Sequence, residues 1–203
     1  MKKYYVSPLI ICVIIYISAL LTGCTTRFFL HVNYRSPVAS EDLKGTAVYL
    51  NVKDMRPDKT ILSKRAEKDF KDFTGLFSLT IDKGEKEKLA AGGFNLLSLF
   101  KTAFTYRMEH MGIHVLKDHS NTEPVIEIAL QKFLLDLVDR KWILEINYDA
   151  SLVRNDELIA KETISGKAER VKILGQGDAE KVVADLFTNV VNDLDIRKLL
   201  DRK

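Results

Sequence analysis

Lys141-Trp142-Ile143-Leu144-Glu145-Ile146-Asn147-Tyr148-Asp149-Ala150-Ser151-Leu152 alternates almost without a break. Trp142, Leu144, Ile146, Tyr148, Ala150 and Leu152 fall on one face of an extended chain, opposite Lys141, Glu145, Asn147, Asp149 and Ser151. A period of two with one polar face is the mark of an antiparallel strand packed on one side only. Upstream, Ile126, Ile128 and Leu130 share one parity, and Phe133, Leu135 and Leu137 continue on the other. This change of phase near Gln131-Lys132 predicts a bulge, because one extra residue flips every later side chain to the opposite face. Downstream, Asn155-Asp156 suits a tight hairpin turn. Leu158 to Val171 reads as a third, weaker strand, rich in Thr, Lys and Glu.

Two helices flank this meander. Leu96, Leu97, Phe100, Phe104, Met108 and Met111 recur at spacings of three and four after Gly92-Gly93, forming an apolar stripe. Gly112 stands where that helix should stop, and Ile113-His114-Val115-Leu116 follows as a short strand. Beyond the break at Gly175-Gln176-Gly177, Asp178 is expected to cap a second helix. Its stripe is Val183, Leu186, Phe187, Val190 and Leu194, and Ile196, Leu199 and Leu200 mark a final turn. Nearer the N-terminus, Thr46 to Val52 alternates as a strand that ends in the turn Lys53 to Asp58. Leu76 to Ile81 forms another short strand, and residues 59–74 carry no clear period. The order strands, helix, strands, helix predicts an α+β domain: a single mostly antiparallel sheet with two main helices packed on one face.

The first residues read differently. Lys2-Lys3 precedes a nearly unbroken apolar run from Val6 to Leu21, too short for a membrane-spanning helix and suited to an export signal. Leu21-Thr22-Gly23 then supplies small residues before Cys24, the arrangement of a lipoprotein cleavage site. The expected organisation is a signal peptide over 1–23, a lipidated cysteine with a short tether or edge segment over 24–44, and a periplasmic α+β domain over 45–203. Within the second stretch, Phe28 to Tyr34 is too apolar for a free linker and suits a strand at a sheet edge. Several acyl chains on Cys24 would hold the protein stably in a membrane. In the bacterial lipoproteins that this stretch resembles, Asp after the cysteine favours retention in the inner membrane, so Thr25 in that place implies the outer membrane, if the organism has one.

Composition narrows the function classes. Of the 31 basic residues, Lys2 and Lys3 belong to the leader, so the remainder nearly balances the 28 acidic ones. Basic and acidic residues also interleave, as in Lys64-Arg65-Ala66-Glu67-Lys68-Asp69, so a concentrated basic face for nucleic acid is not expected. Cys12 lies in the leader, so no internal disulfide or thiolate metal site is available after Cys24. His110, His114 and His119 are close in sequence, but Gly112 interrupts the helical spacing, and no metal site or cofactor is expected. No serine-nucleophile elbow or phosphate-binding loop occurs, and the chain is not read as an enzyme. Asp54 and Arg56, at a strand end beside Asp58, are the residues marked for binding, weighed against a locally stabilised Asp-Arg-Pro turn. The aromatic stripes around Phe100/Phe104 and Trp142/Tyr148 read as core first and as an apolar groove second.

Four features carry a family resemblance: Leu21-Thr22-Gly23-Cys24; Gly45-Thr46-Ala47-Val48-Tyr49-Leu50-Asn51-Val52-Lys53-Asp54-Met55-Arg56; the helix end Arg107-Met108-Glu109-His110-Met111-Gly112 with its following strand; and the long strand pair with a C-terminal helix before Asp195-Ile196. In these the chain resembles the YajG-like outer-membrane lipoproteins of proteobacteria. More distantly it is similar to the auxiliary lipoproteins of ABC-type envelope transport systems. The resemblance implies a non-enzymatic binding or accessory module, anchored in the membrane by lipid and facing the periplasm, with an envelope protein or cell-wall material as partner. The more distant likeness implies an accessory role in lipid or small-molecule transport. Neither supplies catalytic residues.

Overall fold

The computed structural model describes residues 28–82, 88–119 and 123–201. The leader over 1–23, with Leu21, Thr22 and Gly23, and Cys24 itself lie outside the described residues. The described chain runs β1 (Phe28–Arg35), β2 (Ala47–Asp54), β3 (Phe73–Asp82), β4 (Lys88–Phe94), α1 (Leu96–His110), β5 (His114–Leu116), β6 (Val125–Val138), β7 (Lys141–Arg154), β8 (Glu157–Val171), α2 (Gln176–Asp193) and α3 (Ile196–Leu200).

The antiparallel meander β6-β7-β8 is the backbone of the fold. All six residues of the apolar face of β7 are fully buried. The β6 register shifts between Leu130 and Lys132, which lets Ile126, Ile128, Leu130, Phe133 and Leu135 all point into the core despite their change of parity. Both hairpins use paired left-handed residues, Asp139-Arg140 (φ 47° and 62°) and Asn155-Asp156 (φ 51° and 62°). That geometry matches the natural twist of the flanking strands. The outer face of the meander is polar and laced by cross-strand ion pairs, including Lys167–Glu145 at 3.0 Å and Lys161–Asp149 at 2.9 Å.

The architecture is α+β, but with two sheets where one was expected. A five-stranded sheet has the order β5-β2-β6-β7-β8, and a separate three-stranded sheet has the order β1-β3-β4. Both are mixed, the larger built mainly on its antiparallel meander. β2 runs parallel to both β5 and β6, and β1 runs parallel to β3. The reason lies in connections that periodicity does not show: a tight hairpin joins only antiparallel strands, whereas strands brought together by long crossovers can pair in parallel. Each helix packs against strands of both sheets, α1 on β2, β5, β3 and β4, and α2 on β1, β7 and β8. One core joins them, with Phe77 of β3 edge-on to Phe133 of β6, and Phe100 of α1 edge-on to Phe133, Tyr148 and Phe187.

Residues 28–35, expected as tether or edge segment, form an edge strand inside this core. Leu30, Val32 and Tyr34 are fully buried. The open edge of β1 meets α2 side chains that share one face of the helix, one or two turns apart. Glu180 accepts from the His31 N–H (3.1 Å), the Thr188 hydroxyl accepts from the Arg35 N–H (3.2 Å), and the Asn192 amide donates to the Arg35 carbonyl (3.1 Å). A strand edge left unpaired would be a template for aggregation; here a helix covers it.

The two helix boundaries differ from each other. Gly112 (φ 84°) ends α1 as expected, with its N–H bonded to the Glu109 carbonyl and the Ile113 N–H to the Met108 carbonyl. This double reversal is only comfortable in the left-handed region. Asp178 does not precede α2 but sits in its first turn. Its carboxylate folds back to accept from the N–H groups of Ile173 (2.7 Å) and Leu174, fastening the incoming loop.

Candidate functional site

Asp54 is the last residue of β2, and the chain leaves the sheet there because β6 bulges opposite it. Residues 61–63 then return to β6 on the far side of the bulge: Leu135 N–H donates to the Ile61 carbonyl at 2.8 Å and Ser63 N–H to the Leu135 carbonyl at 2.9 Å. Arg56 spans the detour. Its Nε and Nη2 grip both oxygens of Asp54 at 2.9 and 3.0 Å, and Nη1 reaches the Thr60 carbonyl at 3.3 Å and the Phe133 carbonyl at 3.4 Å. Arg56 is only 5% exposed. The guanidinium hydrogen bonds, aided by Lys59, hold the Asp54 carboxyl well below the usual carboxylate range against the opposing effect of its partial burial. Asp58 accepts from the Thr60 N–H at 2.8 Å and closes the turn.

This arrangement is a clamp for a chain reversal. The guanidinium faces inward with its donors engaged, and what it leaves at the surface is one edge of Asp54, with the Lys59 ammonium 3.1 Å away. Local donors favour the ionised form of both Asp54 and Asp58, which makes each a weaker proton acceptor than an ordinary carboxylate.

The histidines lie apart in role. His110 ends α1 and takes a hydrogen bond from, or gives one to, the Tyr106 hydroxyl at 2.9 Å. His119 rests against the Tyr49 ring, and His114 opens β5. Among the described residues, no group of three or more His, Cys, Asp or Glu side chains is placed to hold a metal. The aromatic stripes around Phe100/Phe104 and Trp142/Tyr148 are fully buried in the shared core. They pack on one another and on Phe133 and Phe187, so they do not line a groove.

Two features escaped the sequence reading. The first is Arg107, a charged residue on the inner side of α1 and only 7% exposed. Its guanidinium donates to the Val191 carbonyl and, at 2.6 Å, to the Leu194 carbonyl. Tyr148 donates to the Val190 carbonyl at 2.6 Å beside it. α2 therefore ends without a glycine, its last carbonyls met by side chains from α1 and β7, and the cation sits at the negative end of the helix. Burial pulls the Arg107 guanidinium below its ordinary value, though an arginine remains charged at neutral pH. The second is a cleft of about 330 Å³ between β1 and α2, lined by His31, Asn33, Arg35, Lys181, Ala184 and Asp185. Ala184 is the apolar gap in the row that covers β1, and the buried Asn33 Oδ1 beside it has no partner among the described residues.

No family model matches the sequence, and no curated protein matches it. Solved structures do. A Xanthomonas campestris protein assigned to the family model DUF330 superposes with a TM-score of 0.54 at 12% identity, over 83% of this chain and 92% of that one. The rare lipoprotein B of Shewanella oneidensis gives 0.40 at 7% identity, over 71% and 88% of the two chains. A minor lipoprotein of Acinetobacter baumannii gives 0.39 at 11%, over 80% and 96%. Among the described residues, no helix is long and apolar enough to cross a bilayer. At such identities what this chain has in common with the Xanthomonas protein is its fold alone.

Proposed function

We propose that this protein is a bacterial envelope lipoprotein of the YajG-like kind, anchored by lipid on Cys24 in the outer membrane. Facing the periplasm, it acts there as a non-enzymatic binding or accessory module. The observation that carries the reading is the join between leader and fold. Leu21-Thr22-Gly23-Cys24 closes an apolar export signal, and four residues later the chain enters β1, whose inner face is buried in the core. The absence of an enzymatic role is supported by the engagement of Asp54 and Asp58 in local clamps. The wide polar face of the large sheet and the cleft between β1 and α2 are the surfaces available for an envelope protein or cell-wall partner. The alternative, an auxiliary lipoprotein carrying lipid for a transport system, loses support because the aromatic stripes that would line its groove are packed shut.

The test is direct. The chain is produced in a bacterium with two membranes, and the membrane fraction is analysed by mass spectrometry. The expected product begins at an acylated Cys24, and Cys24→Ser abolishes both the acylation and the membrane retention. A full-length, unmodified chain in that fraction would refute the reading.

A further inference from the structure

Three apolar side chains stand in solvent where β8 gives way to α2: Val171, the last residue of the strand, at 50%, and Ile173 and Leu174 of the following loop at 79% and 71% exposure. Scattered exposed apolar residues are ordinary, but a cluster at a loop tip calls for an account. This loop is also held stiffly from below. Asp178 fixes the N–H groups of Ile173 and Leu174, the Lys172 N–H donates to the Arg140 carbonyl at 2.8 Å, and the Trp142 indole donates to the Gly175 carbonyl at 3.0 Å. The Lys172 ammonium pairs with Asp69 at 2.6 Å. Polar groups thus point inward and the two large aliphatic side chains outward, in a fixed presentation that loses little conformational freedom on contact.

The position of the loop indicates what it meets. Phe28, where β1 begins, pairs with Phe73 of β3. The segment just before Phe73 holds the loop, through Asp69 to both Lys172 and Gln176. On the other flank of β1, His31 is tied to Glu180, one turn into α2. The start of β1 and the apolar tip therefore share one end of the molecule. Cys24 lies four residues before Phe28, a reach of at most about 14 Å of extended chain. The rim around the tip is mixed in charge, with Lys68, Lys71, Arg140 and Lys141 against Asp72, Asp139 and Glu169. Insertion of the apolar residues, not attraction to anionic headgroups, is then the driving term.

We infer that Ile173 and Leu174 dip into the interfacial layer of the bilayer that carries the anchor, giving the domain a second contact with the lipid surface and a fixed orientation on it. The inference rests on the reading of Cys24 as the lipidated residue. The test uses the full chain, purified with its native modification and reconstituted in phosphatidylcholine vesicles whose acyl chains are brominated. Two variants are compared, Ile173→Trp at the tip and Leu158→Trp at the opposite end of β8. Leu158 is 62% exposed, and it lies about 40 Å from Val171 at the usual rise of a strand. Both variants share the buried Trp142 as a common background, and neither touches the core. Since an interfacial side chain sits within reach of the bromines, Ile173→Trp should be quenched at least about twofold more than Leu158→Trp. Equal quenching in acylated protein overturns the inference while leaving the anchor intact, and points to protein recognition by the tip. Protein whose Cys24 carries no lipid refutes the anchor, and the inference falls with it.

Discussion

Replacing Arg107 with Met keeps much of the side chain's volume and removes its charge and its donors. The two carbonyls it serves, Val191 and Leu194, belong to fully buried residues at the end of α2. Hydrogen bonds from a charged donor contribute about 1.5–3 kcal/mol each, so their joint loss amounts to roughly 3–6 kcal/mol. Against this stands a gain: burying a guanidinium is costly, and Arg107 Nε is itself unpaired among the described residues. The net expectation is a destabilisation of about 3 kcal/mol. For a domain of this size that corresponds to a fall in Tm of roughly 6–12 °C. Thermal unfolding followed by circular dichroism reads it directly. Arg107→Lys should fall between the two, because an ammonium reaches one carbonyl well but lacks the planar fork for both. A fall of less than about 2 °C for Arg107→Met would refute the idea that this side chain closes the helix.

Two further perturbations test other joints. At Gly166 of β8 an added Cβ would lie 2.6 Å from Val190 Cγ1 and 2.7 Å from Leu186 Cδ1 of α2. Gly166→Ala should therefore cost about 1–3 kcal/mol in urea unfolding, and a variant as stable as the parent would show that helix and sheet are not in close register there. Asp54→Asn should cost about 1–2 kcal/mol at pH 7 by weakening the grip of Arg56. The Asp54 carboxyl titrates lower folded than unfolded, so its contribution is complete above the ordinary value of 3.8 and fades as the pH falls below it. The gap between parent and variant should accordingly narrow in acid; a constant gap would assign it to packing alone.

What could be read from the sequence was whatever local period determines. The meander, its bulge at Gln131, the stop at Gly112 and the stripes of both helices all follow from neighbours within a few positions. The second sheet did not emerge because the partner of β1, at residues 73–82, is remote and parallel. Nothing in the alternation of Leu30, Val32 and Tyr34 names that partner. β8 looked weak because it is the edge of the large sheet, where Lys, Glu and Thr protect an open flank. The Asp139-Arg140 turn went unrecognised because it holds neither the asparagine nor the glycine that usually announces such geometry. Arg107 was hidden by its own chemistry: a cation in a helix is read as surface, and only the buried end of α2 makes it an interior residue. For the candidate site, sequence placed Asp54 and Arg56 together at a strand end. The inward turn of the guanidinium depends on the bulge in β6 and could be seen only once the strands were assembled.

β1 has a consequence for force. It runs parallel to β3 over Phe28 to Arg35, and the α2 side chains that cover its other edge are spread along its length. A pull from the N-terminal side along the axis of this strand loads those bonds together, in shear, and cannot peel them one after another as it would a strand held at its end. The first described strand and the last long helix are tied across about 150 residues of sequence. Tension entering at Phe28 therefore passes straight into α2 and, through Arg107, into α1. The lipid proposed on Cys24 would apply its load four residues before this strand, at the point of the fold built to bear it.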